Sequence, residues 1–268
     1  MSTVLPALFI GHGSPMNAIE PSRWADAWRA IAAATPRPRA ILCISAHWYT
    51  RGSAVTAMPH PRTIHDFYGF PPALFACQYP APGDPALAAQ VRQLLAPAAV
   101  QLDESEWGLD HGSWSVLLHM YPEAGIPVLQ LSLDGTLAPR AHYELARRLA
   151  PLREAGVLIL GSGNVVHNLR LMQRDPAVQP YDWAVRFNNV VRRAVLAGDH
   201  DSLLDFERGD ADARRSMPTP EHYLPLLYVL AQQRAGEAVT VPIDGLELGA
   251  ISMLSVAVGG DYSALQKQ

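Results

Sequence analysis

Five of the ten histidines in this 268-residue chain stand at positions where imidazole chemistry, rather than folding, explains the choice of residue. His12, in "IGHGSPMN" (residues 10–17), closes the apolar run "LPALFIG" between two glycines, which let the backbone adopt positive φ and approach a ligand closely. His47 closes "RAILCISA" in "SAHW", and His167 follows "GVLILGSG" in "GSGNVVHN". If these runs are parallel strands, their ends face the crevice where open α/β sheets bind ligands. Taken singly, each is an ordinary loop histidine bonded to a nearby carbonyl; three from distant parts of the chain at one sheet edge describe a site. His222, in "TPEHYLP", is expected in the first turn of a helix capped by Thr219. There the helix dipole favours neutral imidazole, the metal-binding form, and the competing reading is a surface histidine that shares in capping. His111, in "WGLDHGSWSVLLHMYP", would lie just outside a helix start with Ser113 as N-cap, facing a cleft. His60 and His65 lie in a long loop and are expected to face a substrate, His119 reads as structural, and His142 and His200 receive no role.

Three neutral imidazoles leave a metal ion with open positions, and imidazole suits zinc, copper, iron and nickel alike. Zinc would activate a water for hydrolysis; ferrous iron would bring an organic substrate and O2 together at adjacent positions. Trp48, Tyr49, Phe67, Tyr68, Phe70, Trp107 and Trp114 cluster along the chain near these histidines. They fit a flat apolar substrate, and equally an ordinary core. There is no Gly-x-Ser-x-Gly elbow, no Gly-x-Gly-x-x-Gly and no phosphate-binding Gly-Lys-Ser/Thr. The two cysteines, Cys43 and Cys77, lack zinc-finger spacing and suit a reducing compartment.

The elements that must position these residues alternate. "LPALFIG", "RAILCISA", "IPVLQLSL" and "GVLILGSG" are compact aliphatic runs, as strands buried on both faces should be. "PSRWADAWRAIAAA", "DPALAAQVRQLLA", "PRAHYELARRLAPLREAG", "DWAVRFNNVVRRAVLAG" and "TPEHYLPLLYVLAQQ" carry apolar residues at helical spacing. Asp84 is the expected N-cap of the second, with Pro85 at its first position, and Gly156 ends the third. The tail "EAVTVPIDGLELGAISMLSVAVG" predicts two or three further strands with turns at Asp244-Gly245 and Gly249. The pattern is that of an α/β single domain, residues 1–268, with a central mostly parallel, mixed β-sheet flanked by helices on both faces. Residues 50–83 are rich in Pro, Gly and aromatics and are expected to form a site wall or lid.

Apolar residues make up 49% of the chain and charged residues 17%, enough for a large core. A net charge of −4 gives no reason to expect nucleic acid or an anionic membrane as partner. The sequence has neither a signal-peptide pattern nor an apolar run of about 18 residues, so the expectation is a cytoplasmic protein, monomer or homodimer.

Six segments in order, "LFIGHGSPMN", "ISAHWYTRG", "TIHDFYGFPPALFACQYPAPG", "WGLDHGSWSVLLHMYP", "GSGNVVHNL" and "PTPEHYLPLLYVLA", resemble the 4,5-DOPA extradiol dioxygenase family. This is a bacterial-type branch of the class III ring-cleaving enzymes related to the protocatechuate 4,5-dioxygenase beta subunit. The resemblance spans residues 6–258 and implies a single α/β domain, a mononuclear non-haem Fe(II) centre in which zinc is sometimes found, O2 as co-substrate and a catechol as substrate. It further implies His12, His47 and His222 as metal ligands. His167 would be an acid/base beside the metal or an additional ligand, and His111 the histidine that handles protons or oxygen. The better-known class III pattern of two histidines and a glutamate would put Glu221 in place of His222. Substrate contacts are expected from His65, Trp48 and Tyr68. A zinc hydrolase and a non-catalytic metal-binding relative built on the same histidines are the competing readings.

Overall fold

The computed structural model describes residues 4–175, 177–206 and 209–267; residues 1–3 and 268, the ends of the expected domain, lie outside them. Its centre is a six-stranded sheet in the order Val128–Gln130, Ala40–Ser45, Val157–Gly163, Ala7–Gly11, Ser255–Val258, Val239–Ile243. The first four strands run parallel, and the last two add antiparallel pairing at one edge, as the sequence pattern predicts.

The aliphatic runs bury both faces by simple alternation. Ala7 and Phe9 enter one core while Leu8 and Ile10 enter the other; Val157 and Ile159 divide from Leu158 and Leu160 in the same way. Helices Pro85–Leu95, Pro139–Arg147, Asp182–Ala197 and Leu224–Leu230 cover the first face. Helices Arg23–Ala34 and His111–Met120 cover the second. Arg23–Ala34 shows the local logic: Ser22 caps it by accepting from the Ala25 N–H, and Trp24, Trp28 and Ile31 recur on the buried side. Asp84 and Pro85 start their helix as expected, and Gly156 takes positive φ.

Several local expectations are corrected. Pro151 interrupts the third helix, leaving Pro139–Arg147 and a short turn of helix at Pro151–Glu154, because a proline ring displaces the carbonyl four residues back. "IPVLQLSL" is two strand pieces, Val128–Gln130 and Leu133–Asp134. The tail makes four strand pieces; Leu246–Glu247 and Ile251–Ser252 form a separate hairpin. Residues 50–83 are not one loop: Ser53–Thr56 pairs with Val100–Asp103, and Pro72–Phe75 is a helical turn. Asp110, not Ser113, caps the helix that begins at His111. The last helix starts at Leu224, after a turn, so Thr219 does not cap it and His222 precedes it. No helix among the described residues is long and apolar enough to cross a membrane.

Candidate metal centre

The register of the sheet brings the histidines together. Gly11 pairs with Gly163 and Ser45 with Ser162, so the strands that deliver His12 and His47 flank the end of Val157–Gly163. The backbone continues this tie beyond the strands: His12 N–H donates to Gly163 O (3.2 Å) and Ala46 N–H to Ser162 O (3.0 Å). The turn carrying His222 packs on the same strand end, where its carbonyl accepts from Asn164 N–H (2.9 Å). Ring centroids of His12 and His47 lie 5.1 Å apart, His12 and His222 5.4 Å, and His47 and His222 5.0 Å. Gly13 has the positive φ (+61°) expected of it, but the space its missing side chain leaves is taken by Glu247 and Met253, not by a ligand.

Hydrogen bonding fixes the tautomers of His12 and His222, and the carboxylate beside His47 favours the same one. Ser162 Oγ donates its one proton to Gly112 O (2.5 Å) and so accepts from His12 Nδ1–H (2.9 Å). His47 Nδ1 lies 3.3 Å from Asp66 Oδ2, and His222 Nδ1 3.1 Å from Glu221 Oε1, and a carboxylate can only accept. His12 and His222 therefore present bare Nε2 lone pairs, and so does His47 when Asp66 draws its ring proton to Nδ1. His12 and His47 Nε2 face each other at 3.3 Å, and His222 Nε2 is buried without a partner. Two facing lone pairs and an orphaned buried acceptor are unfavourable in the apo-protein, and a cation among them relieves both. Two metal–nitrogen bonds of about 2.0–2.1 Å at a tetrahedral angle span about 3.3 Å, so the residues fit a metal ion. The three potential ligand atoms lie within 4.8 Å of one another.

Electrostatics favour the same state. Burial, then the neighbouring imidazoles, push the pKa values of His12, His47 and His222 well below the usual histidine value. His222 is thus held neutral by burial, not by the helix dipole expected from its sequence position. Glu221 acts on His222 from behind, and Thr219 Oγ donates to the same Glu221 oxygen (2.8 Å), which engages that carboxylate away from His222 Nε2.

His167 and His111 flank the cluster. His167 lies flat on the His222 ring, with centroids 3.4 Å apart and planes 7° from parallel, and burial lowers its pKa to about 4. His111 sits 3.9 Å from His47 and 5.8 Å from His12, centroid to centroid, at the first position of its helix. Asp110 clamps that helix start: its buried carboxyl accepts from Ser45 Oγ (2.7 Å), Ser113 N–H (3.1 Å) and Gln130 Nε2 (2.6 Å), and burial raises its pKa.

The sequence reading missed two groups. Ser162 sits within an apolar strand and gives no local signal. Asp66 is the only acidic residue in 50–83, a usable signal in a segment already marked as a site wall. Burial raises its pKa, but the His111 hydrogen bond and the two imidazoles outweigh that and hold it at about 2. Of the expected substrate contacts, His65 Nε2 donates to Cys77 O (2.9 Å) and its ring meets Phe67, Phe75 and Trp114. Phe67 in turn meets His111 edge-on at 5.5 Å. Trp48 is buried, stacked 5.5 Å from Trp107, and Tyr68 is 93% exposed.

A mixed α/β sheet with a polyhistidine centre at its parallel strand ends is the architecture of a metal-dependent enzyme. Residues 7–245 match the family model described as the catalytic LigB subunit of aromatic ring-opening dioxygenase, and the chain belongs to that family. It is 50% identical over 264 residues, 96% of each chain, to a protein of Escherichia coli K12 named 4,5-DOPA dioxygenase extradiol. A Beta vulgaris protein of the same name is 40% identical over 237 residues, 85% of this chain and 86% of that protein. The crystal structure of an uncharacterized protein from Escherichia coli K12 superposes with a TM-score of 0.83 at 45% identity, covering 95% of this chain and all of that one. The chain is therefore an extradiol ring-opening dioxygenase by family, which sets aside the hydrolase and the non-catalytic binder.

Proposed function

We propose that this chain is a non-haem Fe(II) dioxygenase that opens catechol rings beside the diol. L-DOPA is the favoured substrate, giving a seco-DOPA that cyclises to betalamic acid or muscaflavin. The observation that carries the metal assignment is the triad of bare Nε2 atoms on His12, His47 and His222, each backed by its own acceptor. The relatives named 4,5-DOPA dioxygenase extradiol support the substrate class.

Ferrous iron, when bound by His12, His47 and His222, supplies the point where catechol oxygens and O2 meet and the electron relay between them. The chain's own residues do the rest. His111, with Nδ1 turned toward Asp66, offers Nε2 as the acceptor for a catechol hydroxyl proton. His167, stacked on His222 and held neutral at physiological pH by burial, is a second proton carrier. Phe67, edge-on to His111, forms an aromatic wall against which a flat ring packs and which keeps water from His111.

The test is oxygen uptake by protein loaded anaerobically with Fe(II) and then given air and a panel of catechols. L-DOPA should consume O2 and yield a yellow product, and zinc-loaded protein should not. Loaded protein that consumes no O2 with any catechol refutes this reading.

A further inference from the structure

We propose that Asp66 is a positioning residue whose single carboxylate sets the tautomer and orientation of both His47 and His111. One oxygen lies 3.3 Å from His47 Nδ1; the other lies 2.9 Å from His111 Nδ1 and accepts the His111 backbone N–H at 2.9 Å. Neither ring nitrogen is aligned as a full hydrogen bond, and His111 Nδ1 has no other partner. It is the nearby charge of a carboxylate with no proton to give that draws the ring proton of both histidines to Nδ1 and leaves Nε2 for the site. The two rings, 3.9 Å apart, share this one partner, and the three residues form a compact group.

The segment bearing Asp66 is pinned to the helix it serves. Ile64 N–H donates to Leu109 O (2.7 Å), Leu109 N–H to Arg62 O (2.8 Å), and Trp114 Nε1–H to Ile64 O (2.8 Å). Phe67 packs on His111, Phe70 and Phe75. These contacts leave the carboxylate little freedom to follow one histidine and abandon the other. Metal holding through His47 and proton handling through His111 are thereby tied to one side chain. The His111 half of this role rests on the function proposed above, whereas the His47 half needs only that the site binds a metal.

Asp66→Ala removes both acceptors. Asp66→Asn, the isosteric variant that keeps the site packed should the alanine protein fail to fold, leaves one. The backbone N–H of His111 holds the amide oxygen on that side, which turns the amide NH2 toward His47 Nδ1–H, donor against donor. Binding of Zn(II) to the full-length protein, titrated against a chromophoric chelator, should weaken about 10–100-fold in either variant, and by the same factor in a His111→Ala background. His111→Ala alone should leave Zn(II) affinity within about twofold of wild type. For Fe(II)-saturated enzyme, Asp66→Ala should lower kcat, with no further loss when His111→Ala is already present, since both act through one group.

Long-range proton–nitrogen spectra of the zinc-loaded protein labelled at histidine give a readout without turnover. His47 and His111 should both be Nδ1–H tautomers in wild type, and His111 should become a mixture in Asp66→Ala. Unchanged Zn(II) affinity in both Asp66 variants, or an unchanged His111 tautomer in Asp66→Ala, overturns the proposal. If wild type binds zinc but opens no catechol, the proposed reaction fails while the affinity and tautomer measurements still decide on Asp66.

Discussion

Gly163→Ala is the substitution through which the fold most directly reaches the metal centre. A methyl group built at Gly163 would fall 2.2 Å from the carbonyl oxygen of His222, 3.1 Å from its carbonyl carbon and 3.3 Å from Pro225 Cγ. Ordinary contact begins at 3.4 Å, so the His222 turn must recede by about 1 Å, because close-packed interiors transmit such a displacement instead of absorbing it. It cannot simply swing aside: Leu224, Leu226 and Leu227 just after it are buried in the core, and Asn164 N–H holds its carbonyl. The displacement therefore shifts His222 Nε2 relative to the His12 and His47 pair by more than the roughly 0.5 Å that a working site tolerates. Metal affinity should fall at least about tenfold, or about 1.4 kcal/mol, with about 1–3 kcal/mol of stability lost to overpacking. Chelator-competition titration measures the first and calorimetric melting the second. Gly198→Ala is the control, since nothing lies within 4 Å of its added methyl; strain at φ +68° should cost about 1 kcal/mol while metal affinity stays unchanged. A Gly163→Ala protein that binds metal and melts like wild type would show that the His222 turn absorbs the methyl without moving the ligand.

Ser162→Ala leaves His12 Nδ1–H without its acceptor, and metal affinity measured by the same titration should fall roughly 10–100-fold. Stripping the metal should lower the melting temperature, and restoring zinc at about one hundred times its Kd should return about 2.7 kcal/mol, checked by calorimetry. His142, buried with Nδ1 3.0 Å from Tyr228 Oη, has a pKa lowered by burial to about 4. The unfolded chain takes up a proton near pH 6.5 that the folded chain refuses. The stability this group contributes is thus complete above about pH 6.5, is lost as pH falls and levels off near the folded value, a total of about 3 kcal/mol. Between pH 7 and 4 the stability gap between wild type and His142→Gln, measured by denaturant melts, should change by about that amount; parallel curves would contradict it.

The strand runs were legible because burial on both faces demands uninterrupted aliphatic sequence, and that same pattern located His12, His47 and His167 at strand ends. Element boundaries near prolines were less legible. Helical periodicity continues through Pro151 and from Thr219 into Leu224–Leu230, while the backbone helix ends at Arg147, resumes for one turn at Pro151, and enters a turn before Leu224. His222 was recognisable by type, but its environment comes from tertiary burial, which no local pattern carries. Ser162 and Asp66 show the limit most clearly. A serine in a buried strand and a lone aspartate in an aromatic segment acquire their roles only when His12, His47 and His111 arrive from 150, 19 and 45 residues away. Trp48 shows the converse, an aromatic residue beside His47 in sequence whose ring is stacked on Trp107.

With iron held by His12, His47 and His222, the proposed reaction puts both atoms of O2 into an opened catechol ring. Labelling with 18O2 tests it most directly: protein loaded with Fe(II) turns over L-DOPA, and the product is analysed by mass spectrometry before it cyclises. The expected result is a ring-opened product carrying label from both oxygen atoms, and none from protein in which His12, His47 and His222 are all alanine. An unlabelled product, a quinone with its ring intact, or the same labelled product from the triple-alanine protein would contradict it.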